Sequence, residues 1–217
     1  MAVSERNQGR LIDALKQVDI HDPAILNAFA VISRAHFIPP AMHDKALDDI
    51  AIPIGQGQTI SQPSIVAKMC HALEVDTRHK ILEIGTGTGY QACILSKLAR
   101  RVYTIERHKP LHVQAEKNFS MLNIHNITSL HGDGMKGWPT IHGIDQAPFD
   151  RIIVAAAARV KPPPQLIEQL SIGGILVIPI GAVNEQKIMR YKKEADDLIS
   201  IQELMPVRFV PLLPDIV

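Results

Sequence analysis

Only two cysteines, Cys70 and Cys93, occur in 217 residues. That is too few for a disulfide framework, and since each sits in a helix-like pattern, buried free thiols in a reducing cytosol are expected. Charge of one sign is also missing, because 23 basic and 22 acidic residues leave a formal +1. Such a balance creates no field to draw in a polyanion, which argues against a dedicated nucleic-acid binder. No apolar stretch is long enough to span a bilayer, and the start Met-Ala-Val-Ser-Glu-Arg-Asn-Gln lacks the basic region and apolar run of a secretory signal. There is no internal repeat and no low-complexity tract. The expectation is a cytoplasmic protein without membrane or nucleic-acid partners, a monomer, and one domain over 1–217.

What is present is ordinary globular material, 46% hydrophobic and 21% charged. Leu11, Ile12, Leu15 and Val18 recur at helical spacing, and Asp22-Pro23 opens a second helix with Ile25, Leu26, Phe29 and Ile32 on one face. Residues 50–63 read as a Pro- and Gly-punctuated loop too apolar for a linker, with Ser61 placed to cap a helix that starts near Pro63. From residue 80 the pattern alternates: strand 80–84, helix 90–99, strand 101–106, helix 109–122, strand 127–131. A strand at 149–154, a helix at 163–170 and a strand at 174–179 follow, with Gly173-Gly174 as the turn between the last two. Segments 186–193 and 198–210 suggest a closing antiparallel pair. The fold class is therefore α/β, a doubly wound, mostly parallel Rossmann-like sheet, with residues 1–75 as a helical and loop extension and 76–217 as the core.

The richest stretch is Leu82 to Tyr90, where Gly85, Gly87 and Gly89 alternate directly after an apolar strand. Such a strand–loop–helix turn is where an open α/β sheet admits a nucleotide-like ligand. Glu106 ends the next strand, at the distance where an acid reaches ribose hydroxyls, and Gly132-Asp133-Gly134 ends the one after. A dinucleotide site would carry Gly-x-Gly-x-x-Gly, but here the third glycine comes one residue early and Tyr90 stands in its place. The pattern resembles motif I of class I methyltransferases. That resemblance implies S-adenosyl-L-methionine, with Thr86 and Thr88 as polar handles and Asp133 and Gly134 beside the adenine amino group.

After the fourth strand the chain reads Ala155 to Ala158, where base methyltransferases carry Asn/Asp-Pro-Pro-aromatic. Small side chains leave room for a peptide and cannot stack on a base. Gly55-Gln56-Gly57-Gln58-Thr59-Ile60-Ser61-Gln62-Pro63 resembles the signature of protein-L-isoaspartate O-methyltransferases, and the likeness runs over nearly the whole chain, from Val31–Ile38 to Val207–Leu212. It implies methyl transfer to the α-carboxylate of L-isoaspartyl, and less well D-aspartyl, residues of damaged proteins and peptides, with S-adenosyl-L-homocysteine as product. The ester then closes to a succinimide. It further implies Ser61 as the active-site hydroxyl and Gln58, Thr59 and Ile60 among the cofactor contacts. An ionised carboxylate, with a reference pKa of about 4, needs no general base, which fits the lack of an obvious catalytic His or Cys.

Relatives often carry prolines where this chain has Arg159-Val160-Lys161, and a polar residue at Leu213. Arg159 is expected to face solvent. His108 and His112 share a helical face but have no third ligand at a metal-site spacing, so surface histidines and no metal are expected. Lys187–Lys193 reads as a solvated strand edge. Rival readings are a class I methyltransferase with another acceptor, a non-catalytic cofactor-binding module, and a nicotinamide-dependent dehydrogenase.

Overall fold

A computed structural model describes residues 2–196 and 198–217. Two helices lead, α1 (Ala2–Gln17) and α2 (Pro23–Val31). Asp22 caps α2 by accepting from the amides of Ala24 and Ile25, and Pro23 presets the first turn. A short antiparallel hairpin follows, β1 (Ile52–Gly55) and β2 (Gln58–Ile60), and then α3 (Pro63–Ala72).

The core comprises β3 (Lys80–Ile84), α4 (Tyr90–Leu98), β4 (Arg101–Glu106), α5 (Lys109–Met121), β5 (Ile127–His131), β6 (Phe149–Val154), α6 (Pro164–Glu168), β7 (Leu170–Ile180), β8 (Lys187–Ala195) and β9 (Leu198–Pro206). Its seven strands run in the order β5-β4-β3-β6-β7-β8-β9, parallel from β5 to β7 and antiparallel from β7 to β9. Sheet order reverses between β3 and β6, so a crevice opens beyond their carboxyl ends.

Both sheet faces are covered. Ile81, Ile153, Ile175 and Val177 join one apolar cluster with α1 to α4, whereas Leu82, Ile152, Val154, Leu176 and Ile178 join a second with Trp138 and Leu166. Strands buried on two sides are mostly apolar, which is why β7 reads as a near-continuous run, while β3 and β4 bury the polar pair Glu83 and Thr104. Cys70 and Cys93 are free and buried, and burial pushes both thiols well above their usual range.

Four local expectations are corrected. Residues 52–60 form a hairpin rather than an open loop, because Ile52 and Ile60 pair across it and both are buried. Gly173-Gly174 lies inside β7 instead of before it: between paired positions β6 advances from Phe149 to Arg151 while β7 advances from Leu170 to Ile175, and the glycines absorb the excess. Segment 187–193 is interior, since β9 covers β8, and Lys193 is buried with its ammonium donating to the Leu170 carbonyl. His108 and His112 are buried, at 8% and 6% exposure, because α5 lays this face on the sheet.

Candidate functional site

The glycine loop leaves β3 at Ile84 and enters α4 at Tyr90. The Gly85 amide donates to the Ile105 carbonyl, which fastens the loop to the neighbouring strand. Thr86 Oγ1 lies 2.6 Å from Thr104 Oγ1, and the Thr88 hydroxyl donates to the Phe37 carbonyl at 2.8 Å. The two threonines were expected as ligand handles. Both hydroxyls are engaged by protein, as buried hydroxyls must be, while both residues line the cavity and keep acceptor lone pairs. Gly89 likewise faces away from the cavity, toward Phe119 and Ala115 of α5.

At the end of β4, Glu106 is 4% exposed and each of its oxygens accepts one backbone amide, Oε2 from Gly87 and Oε1 from His108. The carboxylate thus shapes the loop, and each oxygen keeps a free lone pair for a ligand hydroxyl. Asp133 does not line the cavity. Its Oδ2 accepts the Asp215 amide at 3.1 Å and lies 3.5 Å from the Lys136 ammonium, so the carboxyl-terminal segment occupies it. Arg107 holds the same segment by donating to the carbonyls of Pro214 and Asp215.

Beneath the loop, Glu83 is fully buried and accepts from Thr104 Oγ1 and Gln91 Nε2. Burial raises its pKa to about 8, against the opposing pull of those hydrogen bonds. The unfolded chain releases this proton near 4.5 and the native state keeps it until about 8. Between those values the native state binds the extra proton, so stability falls as pH rises through the window and levels off above it. In Glu83→Gln the amide replaces the neutral carboxyl, and Thr104 can reverse its hydroxyl. Melting temperatures of Glu83→Gln are expected to decline less than wild type between pH 5 and 8; equal declines would mean that Glu83 titrates normally.

The cavity beside the loop is lined by Gly85, Thr86, Gly87, Thr88, Glu106 and Gly134, and on its other side by Gln58, Thr59, Ile60 and Ser61 of the hairpin segment. Of the residues singled out from sequence, only Gly89 and Asp133 are absent from this wall. Gln91 and Leu111 are added by the structure; Ala156, Leu212, Leu213 and His108, read from sequence in other terms, also line it, and the buried His108 Nε2 has no hydrogen-bond partner among the described residues. A second cavity adjoins it, lined by Ala51, Gln62, Ile65, Arg208 and Phe209. Thr59, Ser61, Ala155 and Val210 line both cavities and so mark where the two meet. Ser61 does not cap α3. The helix begins two residues later, at Pro63, and the Ser64 amide takes Asp49 Oδ1 instead. No group of three or more metal-ligating side chains occurs among the described residues, and none of their helices is long and apolar enough to cross a membrane.

The family described as protein-L-isoaspartate(D-aspartate) O-methyltransferase matches residues 5–215. A protein-L-isoaspartate O-methyltransferase of Rhodospirillum centenum is 49% identical over 208 residues, covering 95% of this chain and 91% of that protein. The chain belongs to this family. A second relative of the same name, from Parvibaculum lavamentivorans, is 47% identical over 98% of this chain and 94% of its own length. Among solved structures, a protein-L-isoaspartate O-methyltransferase superposes with a TM-score of 0.81 at 27% identity, covering 94% of this chain and 65% of that longer one. A Plasmodium falciparum beta-aspartate methyltransferase, solved with S-adenosyl-L-homocysteine, gives a TM-score of 0.74 at 25% identity, with 94% and 96% of the two chains covered. In family terms, the glycine loop and the Ser61 hairpin segment, separate in sequence, face each other across one cavity.

Proposed function

We propose that the chain transfers the methyl group of S-adenosyl-L-methionine to the α-carboxylate of L-isoaspartyl, and less well D-aspartyl, residues in proteins and peptides, leaving S-adenosyl-L-homocysteine. The observation that carries this reading is the junction of the two cavities, with Ser61 lining both. Residues 1–75 and 76–217 act as one unit in it, since α1 to α4 share an apolar cluster.

The cavity beside the glycine loop fits the cofactor's chemistry. It offers backbone, Glu106 acceptor capacity for ribose hydroxyls and the orphan His108 nitrogen, but no dense cationic set for a pyrophosphate. When bound there, the cofactor supplies a methyl group on a sulfonium, already activated for displacement. The remaining task of the protein is positioning. The Ser61 hydroxyl would donate to one oxygen of the acceptor carboxylate and so orient the other toward the cofactor cavity. The small side chain of Ala155 leaves room where the two cavities meet, and the hairpin and the Val207–Val210 segment displace water from the nucleophile. Arg159 is exposed and stands outside this arrangement.

Incubation with methyl-labelled S-adenosyl-L-methionine and an isoaspartyl peptide is expected to yield a base-labile ester, with little from the aspartyl isomer. Transfer to both peptides alike, or to neither, would sink the assignment. Ser61→Ala is expected to lower turnover about thirtyfold, the loss of one hydrogen bond of about 2 kcal/mol to a charged group, with S-adenosyl-L-homocysteine affinity unchanged. Full turnover would remove Ser61 from the reaction.

A further inference from the structure

Ser61 stands at the end of a hairpin that is too small to hold its own shape. Strands β1 and β2 have four and three residues, and their register shifts between Pro53 and Gly55; an isolated pair of this size is not stable in water. The support lies beneath it. Arg34 is 1% exposed and spends its guanidinium on main-chain carbonyls: Nη1 donates to Asp48 at 3.1 Å and Ala46 at 3.5 Å, and Nη2 to Ile50 at 2.7 Å and Ser61 at 3.0 Å. Ile50 and Ser61 flank the hairpin on either side, so a single nitrogen fixes both ends of it to one point.

We infer that Arg34 is a positioning residue for the methyl transfer, acting through the Ser61 backbone to set where the Ser61 hydroxyl sits at the junction of the two cavities. The inference rests on the reading of Ser61 given above. A planar fork with fixed donor directions can serve carbonyls on two sides at once, whereas an ammonium on a flexible stem is a point donor. Lysine at this position keeps the charge and much of the volume but cannot span the same acceptors. The glycine loop and Glu106 make no hydrogen bond to Arg34, whereas Gln58, Thr59 and Ile60 of the hairpin do line the cofactor cavity, so cofactor affinity should move less than turnover rather than stay fixed.

The test measures Arg34→Lys, Ser61→Ala and the double variant for turnover of an isoaspartyl peptide, for S-adenosyl-L-homocysteine binding and for melting. Arg34→Lys is expected to lower kcat about tenfold and to change the dissociation constant by no more than about threefold, while the double variant loses no more than Ser61→Ala alone. Losses that multiply in the double variant, or affinity that falls in step with turnover, would make Arg34 a general support and overturn the inference. Full turnover by Arg34→Lys while Ser61→Ala is impaired overturns it alone. Full turnover by Ser61→Ala takes down the Ser61 reading and this inference with it.

Discussion

Replacing Glu106 by alanine is expected to weaken S-adenosyl-L-homocysteine binding about a hundredfold, because one carboxylate serves two purposes that fail together. Its oxygens accept the amides of Gly87 and His108, which belong to the glycine loop and to the residue leading into α5. Both bonds are charge-assisted and shielded from solvent, a setting in which each contributes about 1.5–3 kcal/mol. The same oxygens hold the remaining lone pairs for the ribose, so truncation loosens the loop and removes the ligand's acceptor. Glu106→Gln separates the two effects. Its amide nitrogen must face one of two backbone N–H groups, donor against donor, so it should fall between wild type and alanine. Calorimetric titration of all three proteins checks this order. A glutamine variant that binds like wild type would show that charge and double acceptance are both dispensable.

The parallel sheet was legible because its strands alternate with helices and are buried on both sides, which leaves a strong periodic signal. Glu106 was legible for the same reason: it stands at a strand end, where topology alone predicts a ligand acid. Thr86 and Thr88 were legible as cavity-lining positions, but not that their hydroxyls also bond Thr104 of β4 and the Phe37 carbonyl, partners that come from elsewhere in the chain. Asp133 was placed at the right strand end, but the segment that occupies it lies more than eighty residues away, as the Asp215 amide bond shows. Arg34 carried a faint signal, an arginine in the mostly apolar stretch Val31 to Ile38, beside Ser33 and His36. Nothing local revealed that its acceptors are carbonyls between residues 46 and 61. Glu83 escaped similarly, since its neutrality depends on burial in a strand flanked by β4 and β6, which come from two other segments. The second cavity could not be read at all, because its walls come from the hairpin segment, Ala155 and residues 206–210.

Gly89→Ala is expected to destabilise the fold by about 3 kcal/mol, the combined cost of overpacking at about 1–3 kcal/mol and of a left-handed backbone at about 1 kcal/mol. Gly89 has φ of +94°, and an added Cβ would lie 2.5 and 2.9 Å from ring carbons of Phe119 and 3.4 Å from the Ala115 Cβ. The ring cannot withdraw freely, since Phe119 is 7% exposed within the apolar cluster under α4. For a chain of this size the loss corresponds to a fall in melting temperature of roughly 6–12 °C. Gly57→Ala is the control: its φ is +67°, but no atom lies within 4 Å of the added carbon, so only the conformational cost of about 1 kcal/mol remains. Combining Gly89→Ala with Phe119→Leu should return part of the loss, because the smaller side chain vacates the space that the methyl group needs. If Gly89→Ala melts like Gly57→Ala, contact with α5 is not what demands glycine there. If it melts as expected and the second substitution recovers stability, the third glycine of the run serves the close approach of α4 to α5, while Gly85 and Gly87 alone face the cofactor cavity.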